Sequence, residues 1–212
     1  MTMTSHIALL GDSIFDNRAY TSGDPDVLGH LRELLPAPWR ASLYAVDGSA
    51  TANLAEQLDR VAPDCSHVII SLGGNDALVN FDLLETPVGS MAEALALIAI
   101  RADHFEMSYA RAVDRALALQ RDTTVCTIYN GDFEVDQATV IRVALMPFND
   151  AILRVAFERR VNVIDLRLVC TEAADYANPI EPSGRGGRKV AEAIIRSVGV
   201  VAGRSGHARA FA

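Results

Sequence analysis

The chain has 212 residues, half of them hydrophobic, with 19 Lys and Arg against 27 Asp and Glu and a net charge of −8. That composition supplies a sizeable core and is unlike a disordered chain, and its acidic balance argues against nucleic acid or a membrane as a main partner, since nucleic acid and anionic lipid both attract basic surfaces. Cys65, Cys126 and Cys170 lie far apart with no CxxC pair, which reads as reduced thiols in a cytoplasmic protein with no zinc site.

The opening "MTMTSHIALL" has neither a basic n-region nor an apolar run long enough for a signal peptide. Within it, His6 to Leu10 is short and unbroken, like a strand buried on both faces. "DPDVLGHLRELLP" follows as a helix, with Pro25 in its first turn and Pro36 as its stop. Ala41 to Val46 is the next strand, and "TANLAEQLDRVA" has helical spacing with Leu54, Leu58 and Val61 on one face. His67 to Gly73 is the clearest strand, rich in β-branched residues.

A long helical region is expected from Gly89 to Gln120; its apolar stretch, Ala92 to Ala102, is too short to span a bilayer. Thr123 to Asn130 reads as a strand, Gln137 to Arg160 as a helix that Pro147 must kink or divide, and "NVIDL" as a short strand. The last helix runs from near Gly187 to near Val198, and "GRSGHARAFA" has little to pack. The expectation is one domain over residues 1–200 with a flexible tail at 201–212. Strand and helix alternate about five times, which argues for a five-stranded parallel sheet with helices on both faces. Sites in such sheets form beyond the carboxyl ends of the strands.

Small polar clusters stand at those ends: Gly11-Asp12-Ser13, Asp47-Gly48-Ser49, Gly73-Gly74-Asn75-Asp76 and Asn130-Gly131-Asp132. Each alone is ordinary turn chemistry. Together they offer a serine hydroxyl facing a crevice, with the Ser13 and Gly48 N–H groups and the Asn75 amide as donors for an oxyanion. Asp12 and Asp76 read as loop-orienting carboxylates, and Arg111, Asp114 and Arg115 as a solvated helix face.

In order and context these clusters resemble the SGNH hydrolases, also called the GDSL esterase/lipase family. "LLGDSIFDN" is similar to the first family block, with Ser13 as nucleophile; "AVDGSAT" to the second, with Gly48 as oxyanion donor; "SLGGNDAL" to the third, with Asn75 as the other donor. The resemblance runs from His6 to about Val198 and implies a flavodoxin-like, three-layer α/β/α fold. It also implies hydrolysis of small acyl esters through an acyl-enzyme, with a small-molecule ester as partner and no metal or cofactor. The fourth block departs from the pattern. The family has Asp-x-x-His, usually followed by Pro; here Asp175-Tyr176-Ala177 leads to Asn178-Pro179.

Asp175 would then orient a base that is missing. His6 and His67 open strands, His30 and His104 sit in helices and His207 lies in the tail, where packing or surface roles are expected. Within "NPIEPS" only Glu181 accepts a proton at neutral pH. Burial near Asp175 would make it a better base; the competing reading has it capping the next helix or pairing with Arg185 or Arg188. "GRGGRK" lacks the spacing of a phosphate loop and reads as a glycine-rich helix entrance. Two functional classes follow: a serine hydrolase using Ser13, or a catalytically weak protein of the same fold that binds an acyl or carbohydrate ligand.

Overall fold

β1 (His6–Gly11) is buried along its whole length, as a strand covered by helices on both faces must be. The computed structural model describes residues 5–200; the expected tail and His207 lie outside them. β1 pairs in parallel with β2 (Arg40–Leu43) on one side and β3 (His67–Ser71) on the other. β4 (Asp122–Cys126) and β5 (Asn162–Ile164) continue the sheet, giving the order β2-β1-β3-β4-β5. The period of two in each strand divides its side chains between two cores. Ala8, Leu10, Val68 and Ile70 face α2 (Leu54–Leu58), α4 (Met91–Leu117) and α5 (Val135–Glu158). Ile7, Leu9 and Ile69 face α1 (Val27–Leu34) and α6 (Gly184–Ser197). The short α3 (Gly74–Leu78) starts just after β3.

Several boundaries differ from those read in the sequence. β2 ends at Leu43 rather than Val46, because the Tyr44 and Ala45 N–H groups both turn to the Leu9 carbonyl, at 2.8 and 3.0 Å. Pro25 precedes α1, whose cap is Asp26, with its carboxylate 2.6 Å from the Gly29 N–H. Pro147 lies inside α5 without dividing it, since Ile141, Phe148 and Ile152 stay buried on either side of it. α6 begins at Gly184, earlier than expected, capped by the Ser183 hydroxyl. A Cβ on Gly186 would lie 2.0 Å from the Asp175 carbonyl oxygen, so the glycine-rich entrance serves close packing.

The segment before α6 forms a small antiparallel ribbon, β6 (Tyr176–Asn178) and β7 (Glu181–Pro182), that the sequence reading did not contain. Among the described residues, no helix is long and apolar enough to cross a membrane.

Candidate active site

Strand order 2-1-3-4-5 reverses direction between β1 and β3, which opens a crevice at their carboxyl ends. Ser13 follows β1, and Asn75 lies in the first turn after β3. The two strands approach closely there: Gly11 has φ +135°, and a Cβ on it would lie 1.9 Å from the Ser71 carbonyl oxygen. Only glycine fits that position. Among the described residues the N–H groups of Ser13 and Gly48 donate to no protein acceptor.

Side chains lock these loops together. Buried Gln57 accepts from the Gly11 N–H at 2.7 Å and donates to the Gly11 carbonyl at 2.8 Å and to Ser49 Oγ at 3.2 Å. Asn75 Nδ2 donates to the Ser49 carbonyl at 2.9 Å, leaving its second N–H for the crevice. Asp76 accepts from the Thr51 N–H and, at 2.7 Å, from the Thr51 hydroxyl. Asp76 thus has the loop-orienting role read for it. Gln57 was missed, although its signal was there: a polar residue on the apolar face made by Leu54, Leu58 and Val61.

Glu181 is brought to the same place by a loop pinned at four points. Asn178 Oδ1 accepts from the N–H groups of Ile180 and Glu181, both at 3.0 Å. The Tyr129 hydroxyl donates to the Ile180 carbonyl at 2.6 Å, the Asp132 N–H to the Pro179 carbonyl at 3.0 Å, and Asn17 Nδ2 to the Pro182 carbonyl at 3.2 Å. Glu181 is 6% exposed, and its Oε2 has no hydrogen-bond partner among the described residues. It caps no helix: Ser183 caps α6, Arg185 pairs with Glu172 and Asp175, and Arg188 with Glu192.

Burial pushes the Glu181 carboxyl up to about 7; the neighbouring Ser13 hydroxyl pulls it down, and the Asp47 charge adds to the rise. Burial also raises Asp12 to about 8, opposed by the Ile14 N–H and reinforced by the charges of Glu181 and Asp76.

Asp175 is fully buried but engaged elsewhere. Its carboxylate accepts from the Thr171 and Glu172 N–H groups and from Lys189 Nζ at 2.7 Å. Burial works to raise its pKa, and the Lys189 contact with those N–H groups outweighs it, leaving the pKa lowered. Among the described residues the histidines also lie away from the crevice: His6 bonds Asp64 and Ser42, His30 approaches the Gly184 carbonyl, His67 faces Asp122, and His104 is exposed. No cluster of metal-ligating side chains occurs among the described residues.

A cavity of about 470 Å³ opens at the crevice, with Ser13, Asn75, Thr127 and Glu181 at its polar end. Neither Gly48 nor Asp175 lines it; Gly48 is exposed and joined to Asn75 through the Ser49 carbonyl. The sequence-read residues therefore divide. Ser13, Asn75 and Glu181 share a cavity, Gly48 lies outside its lining, and Asp175 belongs to an ion pair with α6.

The model of the GDSL-like lipase/acylhydrolase family matches residues 9–189. No curated protein matches the chain. Among solved structures, a phospholipase A1 from Streptomyces albidoflavus is 14% identical, covering 92% of this chain and 99% of its own, with a TM-score of 0.68. An alpha/beta hydrolase enzyme from the metagenome of Lake Arreo, Spain, is 20% identical, covering 94% and 97%, with a TM-score of 0.68. A variant of an acetyl xylan esterase from Geobacillus stearothermophilus is 19% identical, covering 97% and 100%, with a TM-score of 0.66. At these identities the likeness is one of fold.

Proposed function

The chain belongs to the GDSL-like lipase/acylhydrolase family, and from that premise we propose that it hydrolyses esters with Ser13 as nucleophile and Glu181, in place of a histidine, as general base. The observation that carries this reading is a buried carboxylate beside Ser13 in one cavity, its Oε2 without a partner among the described residues and its pKa raised to about 7. A base is most effective when its pKa lies near the working pH. A protein that only binds a ligand has no need of such a group, so the weak-binder reading loses its main support.

The register of the fourth block shifts with this assignment. The family pattern places an acid three residues before the base and a proline after it. Asn178-Pro179-Ile180-Glu181-Pro182 fits that spacing as well as Asp175 to Pro179 does. Asn178 then takes the place of the family's aspartate and Glu181 that of its histidine. The two replacements suit each other. An imidazole gains a positive charge when it takes the proton, and an anion behind it helps. A carboxylate loses its charge, and an anion behind it would only repel. Asn178 supplies the holding contact to the Glu181 N–H without a charge. Asp175, in this reading, anchors α6 through Lys189.

In the first step Ser13 Oγ bonds to the acyl carbon as its proton passes to Glu181. The carbonyl oxygen becomes an oxyanion held by the Ser13 and Gly48 N–H groups and the Asn75 amide. Glu181 then returns the proton to the departing alcohol, and water repeats the cycle on the acyl-enzyme. The three cysteines are buried and unpaired, which suits a reducing compartment, so the reading includes a cytoplasmic location. A fluorophosphonate probe and p-nitrophenyl acetate test it. Wild type should label at Ser13 and turn over; Glu181→Gln should lose about 10⁴-fold in kcat/KM. Unchanged turnover in Ser13→Ala would sink the proposal.

A further inference from the structure

The cavity beside Ser13 is far larger than an acetyl group requires, and its wall between α4 and α5 has one chemistry. α4 has 27 residues, a length of roughly 40 Å, whereas the five-residue strands beneath it are roughly 17 Å long. Its buried residues begin only at Phe105, so its first turns overhang the sheet. There they meet the first half of α5, and the two helices wall the cavity away from Ser13. Every lining residue from these helices is apolar, among them Leu97, Ile98, Ile141, Ala144, Leu145 and Phe148. Glu181 is the one charged residue in the lining, at the opposite, polar end.

We infer that the α4–α5 overhang is an acyl-chain pocket and that the preferred substrates are esters of neutral aliphatic acids of medium or greater chain length. This rests on the hydrolase reading above and deepens it. A sugar acyl group laid along the α4–α5 wall would leave its hydroxyls facing side chains that form no hydrogen bonds, which is costly. An anionic acyl group would meet Glu181 and no cation. An acetyl group would fill only the polar end, leaving the apolar wall unused. An aliphatic chain fits all three constraints, because each methylene that leaves water for such a wall is favourable.

Activity on p-nitrophenyl acetate, butyrate, hexanoate and octanoate tests this in the full chain. kcat/KM should rise along the series by up to about fourfold per methylene, equivalent to about 0.8 kcal/mol. Ala144→Trp, or Ala94→Phe should the first disturb α5, fills the wall and should lower the octanoate-to-acetate ratio at least tenfold. Isothermal titration with 1-octanol gives a readout free of chemistry. It should show binding with a negative heat-capacity change that Ala144→Trp abolishes. If no ester is cleaved and Ser13 is not labelled, octanol binding of this kind sustains the pocket while the hydrolase reading falls. Highest activity on acetate, with no octanol binding and no effect of the filling changes, overturns the inference.

Discussion

A carboxylate base works only while it is ionised, so its neighbours act on it with signs opposite to those around a histidine. Asn178 is therefore the most informative residue in the fourth block. Asn178→Asp keeps the acceptor that holds the Ile180 and Glu181 N–H groups but adds a negative charge. It should raise the Glu181 pKa further and move the kcat/KM profile upward by on the order of one pH unit. Glu181→His combined with Asn178→Asp rebuilds the family's pair and should recover activity lost in Glu181→His alone. A profile unmoved by Asn178→Asp, together with no gain in the double variant, would show that the two positions are not coupled. The sequence made half of this legible. Ser13, Gly48 and Asn75 stand out because each follows a strand. The proposed base is less plain: Glu181 is the one proton acceptor in "NPIEPS", but two frames end in proline, Asp175 to Pro179 and Asn178 to Pro182. What the sequence does not show is that contacts distant in the chain, such as Tyr129 on Ile180 and Asn17 on Pro182, bring Glu181 to the cavity that Ser13 lines.

The β6–β7 ribbon is the element that aims Glu181, and it has little strength of its own, being three residues against two. Isolated two-stranded ribbons are marginal, so its position depends on the surrounding anchors. Tyr129 carries the shortest of these, 2.6 Å to the Ile180 carbonyl, and its ring packs edge-on against Tyr176. Tyr129→Phe keeps the ring and removes the hydroxyl. Stability should fall by only about 1 kcal/mol, while kcat drops about tenfold with KM little changed, since misplacing a base affects the transition state most. Equal losses in kcat and in stability would reduce Tyr129 to a packing role. The same contrast explains which elements could be read in advance. The five sheet strands and the long helices announce themselves through apolar periodicity. β6 and β7 are too short to have a period, and Pro179 and Pro182 argue against strand on local grounds. The early end of β2 and the passage of α5 through Pro147 are likewise tertiary outcomes, set by the Leu9 carbonyl in one case and by core packing in the other.

Across the whole molecule, the proposed base and the buried carboxyls predict that the pH favouring catalysis differs from the pH favouring the fold. Glu181 and Asp12 have pKa values raised by burial to about 7 and about 8, from ordinary values of 4.5 and 3.8. A raised carboxyl keeps its proton in the folded chain after the unfolded chain has released it. Its contribution is complete below the unfolded value and is lost as pH rises through the folded one. Burial holds His6 and His67 below their ordinary 6.5, and that effect runs the other way, but only under pH 6.5. Between pH 6.5 and 8 the two carboxyls therefore dominate. Unfolding free energy should fall by about 1.4 kcal/mol per pH unit for each proton retained in the fold. Over the same range kcat/KM should rise with unit slope and level off above about 7, as Glu181 ionises. Asp12→Asn separates the two effects. The amide oxygen can still accept from the Ile14 N–H, as Asp12 Oδ1 does at 3.1 Å, but the side chain never ionises. Calorimetry should then show Tm falling much less between pH 6.5 and 8 than in the wild type. The rise in kcat/KM should remain, because it belongs to Glu181. An unaltered Tm profile in Asp12→Asn would mean that Asp12 does not hold its proton in the fold.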